Sequence, residues 1–417
     1  MMTVRTDREL VSAAGRSTRY TLTSIVAPRA ERTDARPPAN VSIVLDRSGS
    51  MGGQKFELAR RAVDHALRLL RSEDRFSLVV YDEHIDVLVE STLATPEARR
   101  HAGQRLESVH PRGSTDLCGG WLAGCEQVAR YITDGGAGRC LLLTDGLANH
   151  GTTDRETIVN HARELRRRGV VTSTFGVGAD FDERLLQQMA DAGAGHFYFI
   201  ERPVQIPDFL TSELGETLEI VASGVTLTVD VDAGIHPEVL NAFRTVHRRG
   251  QLSVDLGDLV SGQELSVVTQ FEFSPREDGT ITDARFKLTS ADGRLPPRSV
   301  EQTWRFATEG ACQGQSRNQL VDEAVGAIFA ARAEAEAVEL NRRGDFEEAE
   351  RVLAQAAGQI RTYAGDSDAL RRAIRDLQKA AAASSRPMSA LELKEMHFSA
   401  ASALRARSPE GKARRSE

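Results

Sequence analysis

The sequence predicts a multidomain chain of mixed class: a doubly wound α/β domain, an antiparallel β-sandwich and a C-terminal helical bundle. Three observations predict it. Between about Asn40 and Ile200, apolar β-branched runs alternate with amphipathic helical stretches. From about Leu218 to Ala307 the hydrophobic period falls to two. From Ser316 the composition turns to Ala, Glu, Arg and Leu at helical spacing. At 417 residues the chain has room for roughly two to four domains.

Taken in order, RSTRYTLTSIVAP (16–28) reads as a strand and DARPP (34–38) as a linker. Residues 1–38 are therefore expected to lend a strand to the sandwich, with the α/β domain (39–215) inserted behind it. Within that domain, strands are expected at VSIVL (41–45), RFSLVVYD (75–82), RCLLLTDG (139–146), VVTSTFGVG (170–178) and HFYFI (196–200). Runs this apolar are buried on both faces, as in a parallel sheet covered by helices. Helices are expected at 55–71, 96–109, 116–134, 154–169 and 181–193. IDVLVE (85–90) follows its predecessor too closely for a crossover and reads as an antiparallel edge hairpin.

The sandwich (216–310) is expected from GVTLTVDVD, QLSVDLGDLV, QELSVVTQFEFSP, ARFKLTS and VEQTWRF, separated by SGQ, EDG and ADGR. The helical region (315–406) begins with a helix, a Gly-Asp turn and a second helix. Two more are expected near 367–383 and 388–406, before a polar, disordered tail at 407–417.

Ligands of doubly wound sheets bind at the carboxyl ends of the strands, near the point where strand order reverses. Three polar clusters fall there. Asp46, Ser48 and Ser50 follow the first strand, Thr115 lies in RGSTDLCGG ahead of a helix, and Asp145 follows LLLT. Two carboxylates and three hydroxyls form a hard, all-oxygen set suited to magnesium, with manganese or calcium as alternatives.

DRSGSM, GSTDL and LLTDG, in this order and spacing, resemble the metal-ion-dependent adhesion site of von Willebrand factor type A domains, which have a Rossmann-like fold. FGVGADFDERLLQQMADAG followed by FYFI is similar to the end of the bacterial and archaeal members. The resemblance implies Asp46, Ser48, Ser50, Thr115 and Asp145 as metal ligands, and all five hold the expected residue type. It implies a protein partner whose Glu or Asp completes the coordination sphere. Among bacterial relatives of this architecture, partners include AAA+ ATPases and signalling components. ELNRRGDFEEAERVLAQA resembles one tetratricopeptide-like hairpin, too little for a solenoid.

Competing readings are weaker. Asp46 and Ser50, read singly, would serve as caps of the next helix. Gly49, Gly52 and Gly53 lack the Lys-Ser/Thr of a phosphate loop, and GVGAD (176–180) lacks the third glycine of a dinucleotide fingerprint. His150 reads as a solvated loop residue and RELRRRG (163–169) as a solvated helix face. The alternative function is magnesium-dependent phosphoryl transfer of the phosphatase kind, which also places an Asp after the first strand. That chemistry needs a second carboxylate two residues on and a lysine against the phosphate. Position 48 is Ser, and the cluster around Asp145 offers no lysine. The chain is expected not to be an enzyme.

A net charge of −7 argues against nucleic acid as the main partner. No apolar run approaches the roughly 20 residues of a membrane span, and MMTVRTDRELVSAAG has no apolar signal core, so a cytoplasmic protein is expected. Cys118 and Cys125 are about 10 Å apart along a helix, beyond disulfide reach, and the four cysteines read as buried thiols.

Overall fold

The computed structural model describes residues 1–30, 36–132 and 138–415. Part of the expected linker (34–35), the end of the expected 116–134 helix (133–134) and residues 416–417 lie outside them. The chain divides into two compact units, Met1–Glu31 with Ile220–Glu417, and Arg32–Glu219. No helix among the described residues is long and apolar enough to cross a membrane.

Three strands open the first unit: β1 (Met2–Thr6), β2 (Leu10–Ser12) and β3 (Ser17–Val26). The second unit follows as an insertion. It runs β4 (Asn40–Asp46), α1 (Gln54–Leu69), β5 (Arg75–Tyr81), β6 (Ile85–Leu93), α2 (Pro96–Glu107) and α3 (Leu117–Ala129). It continues with β7 (Gly138–Thr144), α4 (Arg155–Arg167), β8 (Val170–Val177), α5 (Glu183–Ala192), β9 (Ala194–Ile200) and α6 (Ile206–Leu218). The strand order is β6-β5-β4-β7-β8-β9. Only β6 runs antiparallel, as the short 81–85 connection requires. Order therefore reverses between β4 and β7, which pair in parallel from Val41↔Arg139 to Leu45↔Leu143.

The helices form where the pattern dictates. α1 buries Phe56, Ala59, Ala62, Val63, Ala66 and Leu67, one stripe at i, i+3, i+7 spacing. Thr95, Asp116, Asp154 and Asp182 each accept a bond from a first-turn backbone N–H, capping α2, α3, α4 and α5. Sequence reading overlooks α6, which carries the unit past residue 215 to Leu218. Its buried stripe is Ile206, Phe209, Leu210, Glu213 and Leu214, so an acidic residue occupies a core position and hides the period.

The chain then returns to the first unit with β10 (Ile220–Val231), β11 (Ile235–Val239), β12 (Arg244–Arg248), β13 (Gln251–Val260), β14 (Glu264–Phe273), β15 (Ile281–Thr289) and β16 (Arg298–Ala307). Two sheets result, ordered β1-β3-β14-β11 and β12-β13-β10-β15-β16-β2. β3 pairs with β14 along its whole length, from Ser17↔Phe273 to Val26↔Glu264. Ile25, Val267 and Phe271 of one sheet share a core with Leu227, Val254, Phe286 and Trp304 of the other. The short strands β1, β2, β11 and β12 each span one or two pleats, too few for a period-two signal in the sequence.

The helices of this unit are α7 (Glu309–Gly314), α8 (Gln319–Arg343), α9 (Phe346–Arg361), α10 (Asp368–Ser384) and α11 (Ala390–Leu404). α8 ends on Gly344, whose left-handed φ of 86° terminates the helix. Ala337, Leu353, Ile360, Leu370 and Leu377 form a core shared by α8, α9 and α10. Val321, Val325 and Ile328 of α8 pack on Leu22 and Val268 of the smaller sheet. The tail expected to be disordered is placed over 407–415: the Glu264 amide donates to the Arg414 carbonyl at 2.8 Å, and Gln263 bridges Arg415. Backbone bonding to the sheet, which composition does not report, orders a segment of low hydrophobicity.

Candidate metal centre

The five residues singled out in the sequence meet at the carboxyl end of the sheet. Asp46 ends β4, and Asp145 directly follows β7, on either side of the point where strand order reverses. Both are fully buried, Ser48 and Thr115 nearly so, and Ser50 is exposed. Ser50 Oγ donates to Asp145 Oδ1 at 2.6 Å and lies 3.1 Å from Ser48 Oγ. A Cβ built on Gly146 would sit 3.5 Å from Thr115 Oγ1, 3.6 Å from Ser50 Oγ and 4.0 Å from Asp46 Oδ2. The oxygens thus converge around a glycine that keeps the space between them clear.

Neither carboxylate nor serine caps a helix. Gly53 stands at the N-cap of α1 and offers no side-chain cap, and the short 3-10 turn Gly49–Met51 has none either. Instead, Asp46 Oδ1 accepts the Ser48 amide at 2.7 Å and Oδ2 accepts Thr144 Oγ1 at 2.6 Å. Burial pushes the Asp46 carboxyl up to about 6, against the lowering effect of these bonds, and the Asp145 charge adds to the rise. Two desolvated carboxylates side by side make a site that gains by taking up a cation.

The loops brace one another. The Thr115 amide donates to Asn149 Oδ1 at 2.8 Å, and the Asn149 and His150 amides return bonds to the Thr115 carbonyl, each at 3.2 Å. The Gly49 amide donates to the Gly113 carbonyl at 3.2 Å, and the Arg112 amide to the Arg47 carbonyl at 2.8 Å. Buried Asp82 accepts Arg47 Nε at 3.0 Å and Arg112 Nε at 2.8 Å. Its carboxyl is held below the usual range: burial alone would raise it, and the bond from Arg112 leads those that lower it. His150, with a half-exposed ring 3.9 Å from Asp116, stays outside the ligand set.

Sequence reading missed Thr144, Asn149, Arg47 and above all Lys55. Lys55 Nζ is ion-paired with Asp145 Oδ2 and lies 3.4 Å from the Ser50 carbonyl. The expectation of no lysine beside Asp145 is therefore corrected: it considered neighbours in sequence, whereas Lys55 arrives from another crossover. A signal was present, because a cation in the first turn of a helix opposes the macrodipole.

Among the described residues, two further groups bring carboxylates and a histidine together: Asp82, Glu83, His84 and His196, Glu213, Glu216. Asp82 is taken by two arginines, as above, and Glu83 Oε2 accepts the Ser114 amide at 2.6 Å. Glu213 accepts Ser173 Oγ at 2.5 Å and Tyr198 Oη at 2.6 Å, and His196 Nδ1 lies 2.9 Å away. Both groups are braces.

Comparison with known proteins bears on the fold of the second unit. Residues 40–212 match the family model of the von Willebrand factor type A domain. A curated relative, the uncharacterized protein YfbK of Escherichia coli K12, is 25% identical over 341 residues, which cover 78% of this chain and 57% of YfbK. The chain thus spans little more than half of that relative's length. Among solved structures, a von Willebrand factor type A protein from Catenulispora acidiphila aligns over 89% of this chain and 88% of its own. Its TM-score is 0.69 and its identity 17%, a likeness of fold. The ArnB paralog VWA2 from Sulfolobus acidocaldarius aligns over 92% of this chain and 97% of its own at a TM-score of 0.56 and 15% identity. Residues 40–212 of this chain form a von Willebrand factor type A domain.

Proposed function

We propose that this chain is a metal-dependent protein-recognition module. Asp46, Ser48, Ser50, Thr115 and Asp145 would hold a magnesium ion that accepts a Glu or Asp carboxylate from a partner protein. One observation carries the reading: hydroxyl and carboxylate oxygens from three separate loops converge about Gly146 at the switch point of the sheet. The donor set fits a hard divalent cation, since every candidate ligand is oxygen and two are anionic. Its three hydroxyls are neutral, so a bound ion keeps enough positive charge to attract a further anion. Von Willebrand factor type A domains commonly mediate protein–protein interactions and often bind a divalent metal.

The remaining chain reads as the scaffold of this module. The two sheets around Phe271 and Trp304 form a sandwich interrupted by the binding domain, and α8–α11 form a small bundle against it. The partner class is an acidic protein surface, with AAA+ ATPases and signalling components suggested by family likeness alone. Nucleic acid and membrane are not part of the reading. The four cysteines are buried and free, which suits the reducing cytoplasm.

Isothermal titration with magnesium and manganese tests the site. Asp46→Ala and Asp145→Ala should each abolish binding while the chain remains folded, and unchanged affinity in both refutes the assignment. Thr115→Ala, which removes a neutral ligand only, should weaken partner capture more than metal binding. Capture should vanish in chelator and fall about ten- to a hundredfold when one acidic residue of the partner becomes its amide.

Lys55 gives the phosphoryl-transfer reading one supporting observation, a cation beside the second aspartate. It still lacks a proton donor, because Ser48 stands where the second carboxylate belongs. Magnesium-dependent turnover of p-nitrophenyl phosphate that is lost in Asp46→Asn would establish it over the binding module.

A further inference from the structure

Lys55 is the second residue of α1, where the partial positive charge of the helix start disfavours a cation. Its side chain is only a quarter exposed and reaches a fully buried carboxylate, Asp145. Gly178, at a φ of 77°, lies beside it: an added Cβ would stand 4.0 Å from Lys55 Nζ, an ordinary contact distance. Local helix preference and solvation both oppose this placement, and the tertiary partner is what holds it.

The two site carboxylates consequently differ. Asp145 has an ammonium on one oxygen and Ser50 on the other. Asp46 has only neutral donors, the Ser48 amide and the Thr144 hydroxyl. Counting formal charges, Asp46, Asp145 and Lys55 leave the site at −1.

We infer that Lys55 is a built-in counter-cation that weakens metal binding and strengthens capture of an anionic ligand by the loaded site. The inference rests on the metal-site reading above. With a divalent ion the site carries +1 because of Lys55, and one carboxylate from a partner brings it to neutrality. Without Lys55 the loaded site would already be neutral, and a partner carboxylate would make it negative. Lys55 therefore trades affinity for the ion against electrophilicity toward the ligand.

The test uses the full chain, manganese, and acetate as the carboxylate probe. Calorimetry at low ionic strength should find manganese bound about tenfold more tightly by Lys55→Met, the effect of removing a unit charge within ~5 Å of a divalent ion at the dielectric of water. Water proton relaxation of the manganese-loaded protein, titrated with acetate at constant ionic strength, should show acetate bound about fourfold more weakly in the same variant, since a unit anion feels half the effect that a divalent ion does. Lys55→Gln should repeat both shifts, and Lys55→Arg, which keeps the charge, should resemble the parent. Unchanged manganese affinity, or unchanged acetate binding, in Lys55→Met and Lys55→Gln overturns the inference and leaves Lys55 as an ion pair of the fold. Asp46→Ala serves as the separate control: parent-like manganese binding in that variant means that the metal-site reading itself has failed.

Discussion

Asp46 is a buried carboxylate beside a second buried carboxylate, and its neighbours are neutral hydroxyl and amide donors. Asp46→Asn keeps an oxygen for the Ser48 amide and removes one of two neighbouring charges. In chelator its melting temperature should hold or rise, by about 2–4 °C for each kcal/mol of relieved repulsion, while manganese binding is lost. A fall of many degrees by scanning fluorimetry would show instead that the charge organises the loop. Glu334, on α8 and partly buried, shows a shift in the same direction without a functional site. Its carboxyl is pushed up to about 7 from an ordinary 4.5 by burial, with Asp376 adding repulsion. The folded chain therefore keeps a proton that the unfolded chain has released. This contribution to stability is complete below about pH 4.5 and is lost as pH rises through 7, by about 3 kcal/mol in all. Urea melts of Glu334→Gln should be flatter over that window and more stable than the parent at pH 8. A variant less stable than the parent at pH 8 would contradict this.

At the scale of elements, β3 and α6 each tie together residues far apart in the chain. β3 lies between β1 and β14, and the opening strands place Met2, Val11, Leu22 and Ile25 in cores shared with later residues. Each such side chain contributes about 1.5–3 kcal/mol. Deleting residues 1–30 would remove them and expose the β14 edge along its full pairing length. The truncated chain should aggregate on expression, and a soluble product with an unchanged melting temperature would show that the strands are dispensable. α6 is anchored by Glu213, which is fully buried and faces Ser173, Tyr198, His196 and, at 3.9 Å, Arg139. Glu213→Ala strands buried polar groups and should cost about 3–5 kcal/mol, read as a lower urea midpoint. A loss below 1 kcal/mol would mean that α6 docks through its apolar residues alone.

For the whole molecule, the insertion of one unit into another has a thermodynamic signature. Each unit has its own core, one around Leu45, Val80 and Leu143, the other around Phe271, Phe286 and Trp304. Calorimetry of the full chain should resolve more than one transition, and manganese should raise only that of the unit holding Asp46 and Asp145. At a hundred times the dissociation constant the gain is about 2.7 kcal/mol, or about 5–10 °C for a unit of this size. Equal shifts of every transition would show that the units unfold as one.

Much of this was legible in the sequence because it is written in local or periodic form. Apolar runs between amphipathic stretches set the order of β4 to β9, and the 81–85 connection was short enough to require an antiparallel β6. Asp46, Ser48, Ser50 and Asp145 were visible because they end or directly follow strands, whose ends lie together in such a sheet, and Thr115 because its GSTDL stretch opens a helix. What the sequence concealed has a common cause. Glu213 interrupts the apolar stripe of α6, Lys55 contradicts its own helix terminus, and residues 407–415 have too little hydrophobicity to suggest order. Each is held by a partner distant in the chain: Ser173 and Tyr198 for Glu213, Asp145 for Lys55, and the backbone of Glu264 for the tail. Composition and periodicity report what a segment prefers alone. Only the folded chain decides which buried charges and exposed amides meet, because those contacts join residues tens to hundreds of positions apart.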